Sequence, residues 1–192
     1  MNTPAHAIVN LALLGRRRAS RLQAAVLAGA VLPDLPMIVF YLHEKIVVGT
    51  SETAIWGQIY WQQGWQDLFD TFHSLPLVAL GMLAAWRMRA RTWFFLLASM
   101  ALHSLGDLPL HHDDAHRHFF PFSNWRFASP ISYWDPRHHG RIMAPVEFLG
   151  VLACCVILLR TDGPRTGKIA AGLVGSVYLL PIVYFLVVTL SR

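Results

Sequence analysis

Apolar runs at residues 22–42, 73–86, 93–110, 144–159 and 169–190 leave this 192-residue chain few folds to choose from. Several approach the roughly 20 residues that cross a bilayer. A shorter run at 4–15 precedes them and makes a sixth helix. With 55% hydrophobic and only 14% charged residues, the chain has more apolar side chains than a soluble bundle of this size usually hides. The charges fall where a membrane protein would put them. Arg16, Arg17, Arg18 and Arg21 fill one gap, Arg87, Arg89 and Arg91 the next but one, and Arg160, Arg165 and Lys168 the last. This alternation is the positive-inside pattern. It predicts three antiparallel helix pairs turning at cytoplasmic basic gaps, with larger connections at about 43–72 and 111–143 on the opposite side. Those connections carry most of the acids and most of the tryptophan and tyrosine. Arg192 is the one charge out of place.

The expected fold is therefore an all-α, polytopic membrane bundle of five or six helices, one domain over residues 1–192. The net charge of +5 is topogenic, so it gives no reason to expect nucleic acid. Thr3 is the expected N-cap of the first helix, with Pro4 in its first position. That helix does not read as a signal peptide, because its positive charges follow the apolar part. Cys154 and Cys155 are adjacent in an apolar helix, point in different directions and read as packing thiols.

Counting outward from the basic turns gives a geometric expectation. His6 lies 14 residues before Ser20 and Asp34 lies 14 after it, so at about 1.5 Å per residue both stand about 21 Å from that turn. His73 and His103 lie 15 residues either side of Met88, about 22 Å from theirs. Four side chains on four helices thus share one depth toward the outer face, and Asp107 follows His103 by one turn on the same stripe. Each has an ordinary explanation: His6 bonds Asn10, Asp34 ends a helix between Pro33 and Pro36, and His73 caps a helix with Asp70. Together they point to a metal, because a polar group in the hydrocarbon region costs several kcal/mol unless paired or ligated. Imidazole and carboxylate donors suit zinc first, and also manganese or iron.

The stretch "HSLGDLPLHHDDAHRH" packs five histidines and three aspartates into sixteen positions. His111 and His112 are candidate further ligands. Asp113, Asp114 and His116 are candidate acid–base groups, and His118 is a substrate contact. The other reading is a solvated loop with incidental metal affinity. "WGQIYWQQGW" spaces Trp56 with Tyr60 and Trp61 with Trp65 at i+4, as a helix lying in the membrane interface would. Lipid head groups would then be at hand as substrates, although an anchoring aromatic belt explains the spacing equally well.

"MNTPAHAIVN", "GAVLPDLP", "FHSLPL" and "HSLGDLP", in that order over roughly residues 1–145, resemble the YdjM-like family of LexA-binding, inner-membrane-associated, metal-dependent hydrolases. That family is distantly similar to zinc-dependent phospholipase C and P1 nuclease. The resemblance implies ligand roles for His6, Asp34, His73, His103 and Asp107, phosphoester hydrolysis, and the inner membrane of a bacterium. Where the family often has H-R-x-x-T-H-S, this chain reads "LFDTFHS", so either one ligand is absent or Asp70 stands in for it. "LHHDDAHRHFFPF" and "SPISYWDPRHHGR" replace the family's usual turn with a polar insert.

The function expected is hydrolysis of a phosphoester, lipid-borne or lipid-linked, at a divalent metal near the periplasmic or extracellular face. Metal would lower the pKa of a bound water, Asp34 or a loop carboxylate would take the proton, and Arg137 or Arg141 would hold phosphate. The alternative is a non-enzymatic protein that binds or moves metal. It would need a continuous polar route, yet the inner halves of the helices are nearly uncharged.

Overall fold

The computed structural model describes the backbone of residues 1–190 and the side chains of residues 1–180; Arg192 and the side chains that end the 169–190 run lie outside the described residues. Those described form helices and irregular segments, with no strand among them. Helix α1 (Thr3–Asn10) runs on as a π-helical turn, Leu11–Gly15. After it come α2 (Ser20–Val31) and α3 (Leu35–Leu42), the latter prolonged by a second π turn, His43–Val48. The connection that follows holds α4 (Glu52–Ala54), a third π turn (Ile55–Ile59) and α5 (Gln63–Phe72). Next, α6 (Leu75–Arg87) and α7 (Arg91–Asp107) form a hairpin. A long irregular stretch containing one 3-10 turn (Pro136–His138) leads to α8 (Gly140–Arg160) and α9 (Arg165–Leu190).

Two helical stretches, Gln63–Arg87 and Gly140–Arg160, are long and apolar enough to cross a membrane, and the bent pair Ser20–Val31 with Leu35–Val48 makes a third if it is one span. The run at 22–42 is thus two helices inclined at 56°. Pro33 lacks the N–H that would continue α2, and Pro36 is accommodated in the first turn of α3. Helix α7 has 17 residues, about 26 Å. Outward faces are apolar: Leu80 and Leu83 on α6, Val146, Leu149 and Val156 on α8, and Leu173 and Val177 on α9 are all exposed. Contiguous apolar surface of this kind marks a membrane or protein contact.

Local chemistry corrects two expectations. Asn2, rather than Thr3, caps α1, its Oδ1 accepting from the Ala5 amide at 3.0 Å. The Trp56–Trp65 segment is not one helix. It breaks at Tyr60–Gln62 between a π turn and α5, so its aromatics divide between two environments. Tyr60 joins Phe40, Ile55 and Phe69 in a small buried cluster, while Trp56 and Trp61 stay about half exposed.

The main core lies among α1, α2, α8 and α9, with Ile8, Leu11, Val26, Val151, Leu158 and Ala171 at its centre. Cys155 belongs to it, and both cysteines are free thiols. A Cβ on Gly29 would stand 2.0 Å from the Leu96 carbonyl oxygen, so glycine alone permits the close approach of α2 to α7. Ser99 and Asn10 fasten that contact. Ser99 Oγ donates to the Val26 carbonyl at 2.7 Å, and Asn10 Nδ2 donates to the Ser99 carbonyl at 2.9 Å. At the far end the three basic turns gather: Arg21 and Arg89 line one hollow, and Gly163 packs on the Arg16 carbonyl.

Candidate metal centre

Four buried side chains from three parts of the chain converge at the C-terminal end of α7. Asp34 comes from the α2–α3 bend, His73 from the end of α5, and His103 and Asp107 from successive turns of α7. One donor atom from each lies within 4.8 Å of all the others. His103 Nε2 is 2.9 Å from Asp107 Oδ2 and 3.4 Å from Asp34 Oδ1, and His73 Nε2 is 3.8 Å from both carboxylates. Four donors each about 2.0–2.2 Å from one tetrahedral ion would stand about 3.3–3.6 Å apart, close to this spread.

The imidazoles are oriented from behind. His73 Nδ1 donates to the Phe69 carbonyl at 2.9 Å and His103 Nδ1 to the Ala30 carbonyl at 2.7 Å. A carbonyl can only accept, so each Nδ1 carries a proton, and in the neutral imidazole each Nε2 then presents a lone pair. Both Nε2 atoms are buried and make no hydrogen bond among the described residues. Lone pairs facing carboxylate oxygens repel unless something positive sits between them, and with the Met1 ammonium already donating to Asp107 Oδ1 at 2.8 Å, a divalent cation would balance the carboxylate charge that remains. On that ground the four residues fit a metal ion. Thr3 Oγ1 donates to Asp34 Oδ2 at 2.5 Å, fixing the carboxylate's rotation.

The remaining candidates surround this group without joining it. His6 stacks on His103 at 3.6 Å between ring centroids, and its Nε2 bonds Asp107 Oδ1 at 2.8 Å. His111 Nε2 reaches the same oxygen at 3.2 Å, while its Nδ1 lies 3.0 Å from Asp114 Oδ2. Burial would lower the pKa of His111, but the carboxylates of Asp107 and Asp114 outweigh it and push the value up to about 9. His116 stacks on His73 at 3.8 Å, and its Nδ1 contacts Asp70 Oδ1 at 3.2 Å. His118 donates from Nδ1 to the His116 carbonyl at 3.1 Å, leaving Nε2 buried without a hydrogen bond among the described residues. Burial, and then the charge of His116, hold its pKa down at about 4.

Five candidates lie farther off. Asp70 is buried in an ion-pair cluster with Arg117 and Arg126. His112 turns away, bonding the Ser129 carbonyl at 2.5 Å and stacking on His138. Asp113 is exposed beside Arg137, whose guanidinium is itself committed to Asp135 at 3.0 Å. Arg141 is exposed in the first turn of α8.

Sequence reasoning missed the residues that hold these in place. Arg117 is buried and bridges Asp67 and Asp70, tying the polar insert to α5; its place between His116 and His118 was the available signal. Glu147 on α8, bonded by Asn2 and Tyr178, stood in an apolar run with no period to mark it. Comparison of the chain with family models, curated proteins and solved structures gives no match.

Proposed function

We propose that this chain is a membrane-bound, metal-dependent hydrolase of a phosphoester, held in a bacterial inner membrane by five or six spans with its metal centre toward the periplasmic or extracellular face. The observation that carries the reading is the convergence of two orphaned imidazole nitrogens and two carboxylates on one buried point. The resemblance to YdjM-like hydrolases supplies the reaction class, and the exposed apolar faces of α6, α8 and α9 support the membrane. A divalent cation there, zinc by donor chemistry with manganese or iron also suited, would lower the pKa of a water toward about 7 and neutralise charge on phosphoryl oxygens.

The chain's residues would do the rest. Asp34, steadied by Thr3, takes the water proton as the oxygen bonds to phosphorus and the ester P–O bond breaks. His116, backed by Asp70, returns a proton to the departing alcohol oxygen. Membrane lipids are the nearest source of substrate, as a lipid or lipid-linked phosphate.

A protein that binds or moves metal without catalysis is the second reading, and the histidine-rich insert favours it. Against it, the packing from the site toward the basic turns is filled by Ile8, Leu11, Val26 and Leu158. Elemental analysis and a phosphoester panel, run on detergent-purified protein with zinc restored, separate the two. Asp34→Asn should keep most bound zinc and lose about a hundred- to ten-thousand-fold in turnover, whereas Asp34→Ala should lose both. Protein without bound metal overturns both readings, full turnover in Asp34→Asn overturns the base assignment, and metal without turnover leaves the second reading.

A further inference from the structure

A cavity of about 380 Å³ opens beside the metal centre, walled by Trp56, Tyr60, Trp61, Tyr133 and Trp134, with Asp114 among its lining residues. One imidazole separates the two. His111 contacts Asp107 through Nε2 at 3.2 Å and Asp114 through Nδ1 at 3.0 Å, and its ring lies 5.2 Å from that of Tyr133. A ligand in the cavity that reached past the His111 ring would have its other end near the four donors.

The walls state what that ligand carries. Aromatic faces are electron-rich and attract cations, most strongly when water is excluded. Asp113, paired with Arg137 at 3.5 Å, lines the same cavity. A carboxylate offers about four acceptor positions. Asp114 Oδ2 faces His111 Nδ1 at 3.0 Å and accepts from Trp134 Nε1 at 3.2 Å, which leaves acceptor positions of the carboxylate open, its buried Oδ1 having no hydrogen bond among the described residues. A quaternary ammonium has no N–H to give it, and a neutral hydroxyl gains little from the π faces. A primary ammonium satisfies both the carboxylate and the rings.

We propose that this cavity holds the ammonium end of a phosphoester whose alcohol bears a primary amine, the phosphoethanolamine class, while the phosphate lies toward Asp34, His73, His103 and Asp107. The proposal rests on the phosphoester reading and names the substrate class for it.

The test is calorimetric binding to the full chain in detergent with zinc added, using O-phosphoethanolamine, O-phosphocholine, glycerol 3-phosphate and glucose 1-phosphate. Phosphoethanolamine should bind about tenfold more tightly than the two neutral esters, with phosphocholine between. Trp61 is half exposed, so its replacement leaves the core intact. Trp61→Leu should reduce the preference several-fold, and Trp61→Phe should restore most of it. Equal affinity for phosphoethanolamine and glycerol 3-phosphate, or no binding of phosphoethanolamine, overturns the proposal, as does a preference indifferent to Trp61→Leu. The two readings fail separately: preference without hydrolysis removes the hydrolase and keeps the cavity, whereas hydrolysis without preference does the reverse. Competition by phosphatidylethanolamine vesicles, but not phosphatidylglycerol vesicles, identifies the lipid as the source; binding of the free ester without such competition identifies the soluble compound.

Discussion

The metal centre and the polar insert above it are built from the same side chains, histidine and aspartate, and are organised oppositely. In the centre, each histidine spends its Nδ1 proton on a helix carbonyl and leaves Nε2 pointing at carboxylates with no hydrogen bond among the described residues. In the insert, the aspartates already have basic partners: Asp135 has Arg137 and His138, Asp113 has Arg137, and Asp114 has His111. Backbone held by helices can orient a donor toward an absent positive charge. Loop backbone must bring its own. The first arrangement is suited to receiving an ion, and the second to holding a lid in place.

The sharpest way to break this contrast is to count metal. Asp107→Ala or His103→Ala should reduce zinc affinity beyond the about 10- to 100-fold expected from losing an outer-shell partner, while His118→Ala leaves stoichiometry unchanged. Equal zinc in all three variants would erase the distinction between centre and insert.

Depth counting made much of the centre legible. Helix rise is regular, so His73, His103 and Asp34 could be levelled from the turns near Ser20 and Met88, and the structure brings all three together. Asp107, read as one turn beyond His103 on the same stripe, joins them, because side chains at i and i+4 share a helix face and can reach one point. His6 shared the level but became a partner of Asp107 instead of a member of the four. The ion pairs of the insert were not legible, since irregular backbone has no period and Arg117 meets Asp70 across 47 residues. The aromatic stripe failed for a related reason: the π turn at Ile55–Ile59 shifts the helical phase before Trp61.

Next in size is Asp70→Ala, which takes from the buried guanidinium of Arg117 its one buried carboxylate and leaves it the half-exposed Asp67. Breaking such a pair costs about 3–5 kcal/mol, so the melting temperature in detergent should fall by many degrees. Protein that survives purification should still bind zinc, because Asp70 lies outside the four donors; parallel loss of zinc would show that the insert shapes the centre after all.

A pH effect follows for His118. Its folded pKa of about 4 lies below the ordinary 6.5, so between those values the unfolded chain binds the extra proton and acid favours unfolding. Stability is fully present above about pH 6.5, declines as the pH falls to about 4, and the loss amounts to about 3 kcal/mol. In His118→Gln the slope of melting temperature against pH should be shallower over that window; an unchanged slope would assign the acid sensitivity elsewhere. The smallest effect is expected from Arg137→Ala. This exposed residue should change neither melting temperature nor bound zinc measurably, and a large drop in either would mean that the outer rim is structural.

Gly29 sets a schedule as well as a spacing. The carbonyl that aligns His103 belongs to Ala30, and it comes within reach only where α2 and α7 touch at the missing side chain. Asp34 precedes His103 by 69 residues and Asp107 by 73, so neither hairpin contains a site alone during synthesis. Capture of an ion by the four residues would then be the last act of docking the α6–α7 hairpin onto α2. Alanine at position 29 should delay or prevent that act while leaving every donor residue in the chain, and zinc uptake by newly made protein would serve as a clock for helix assembly.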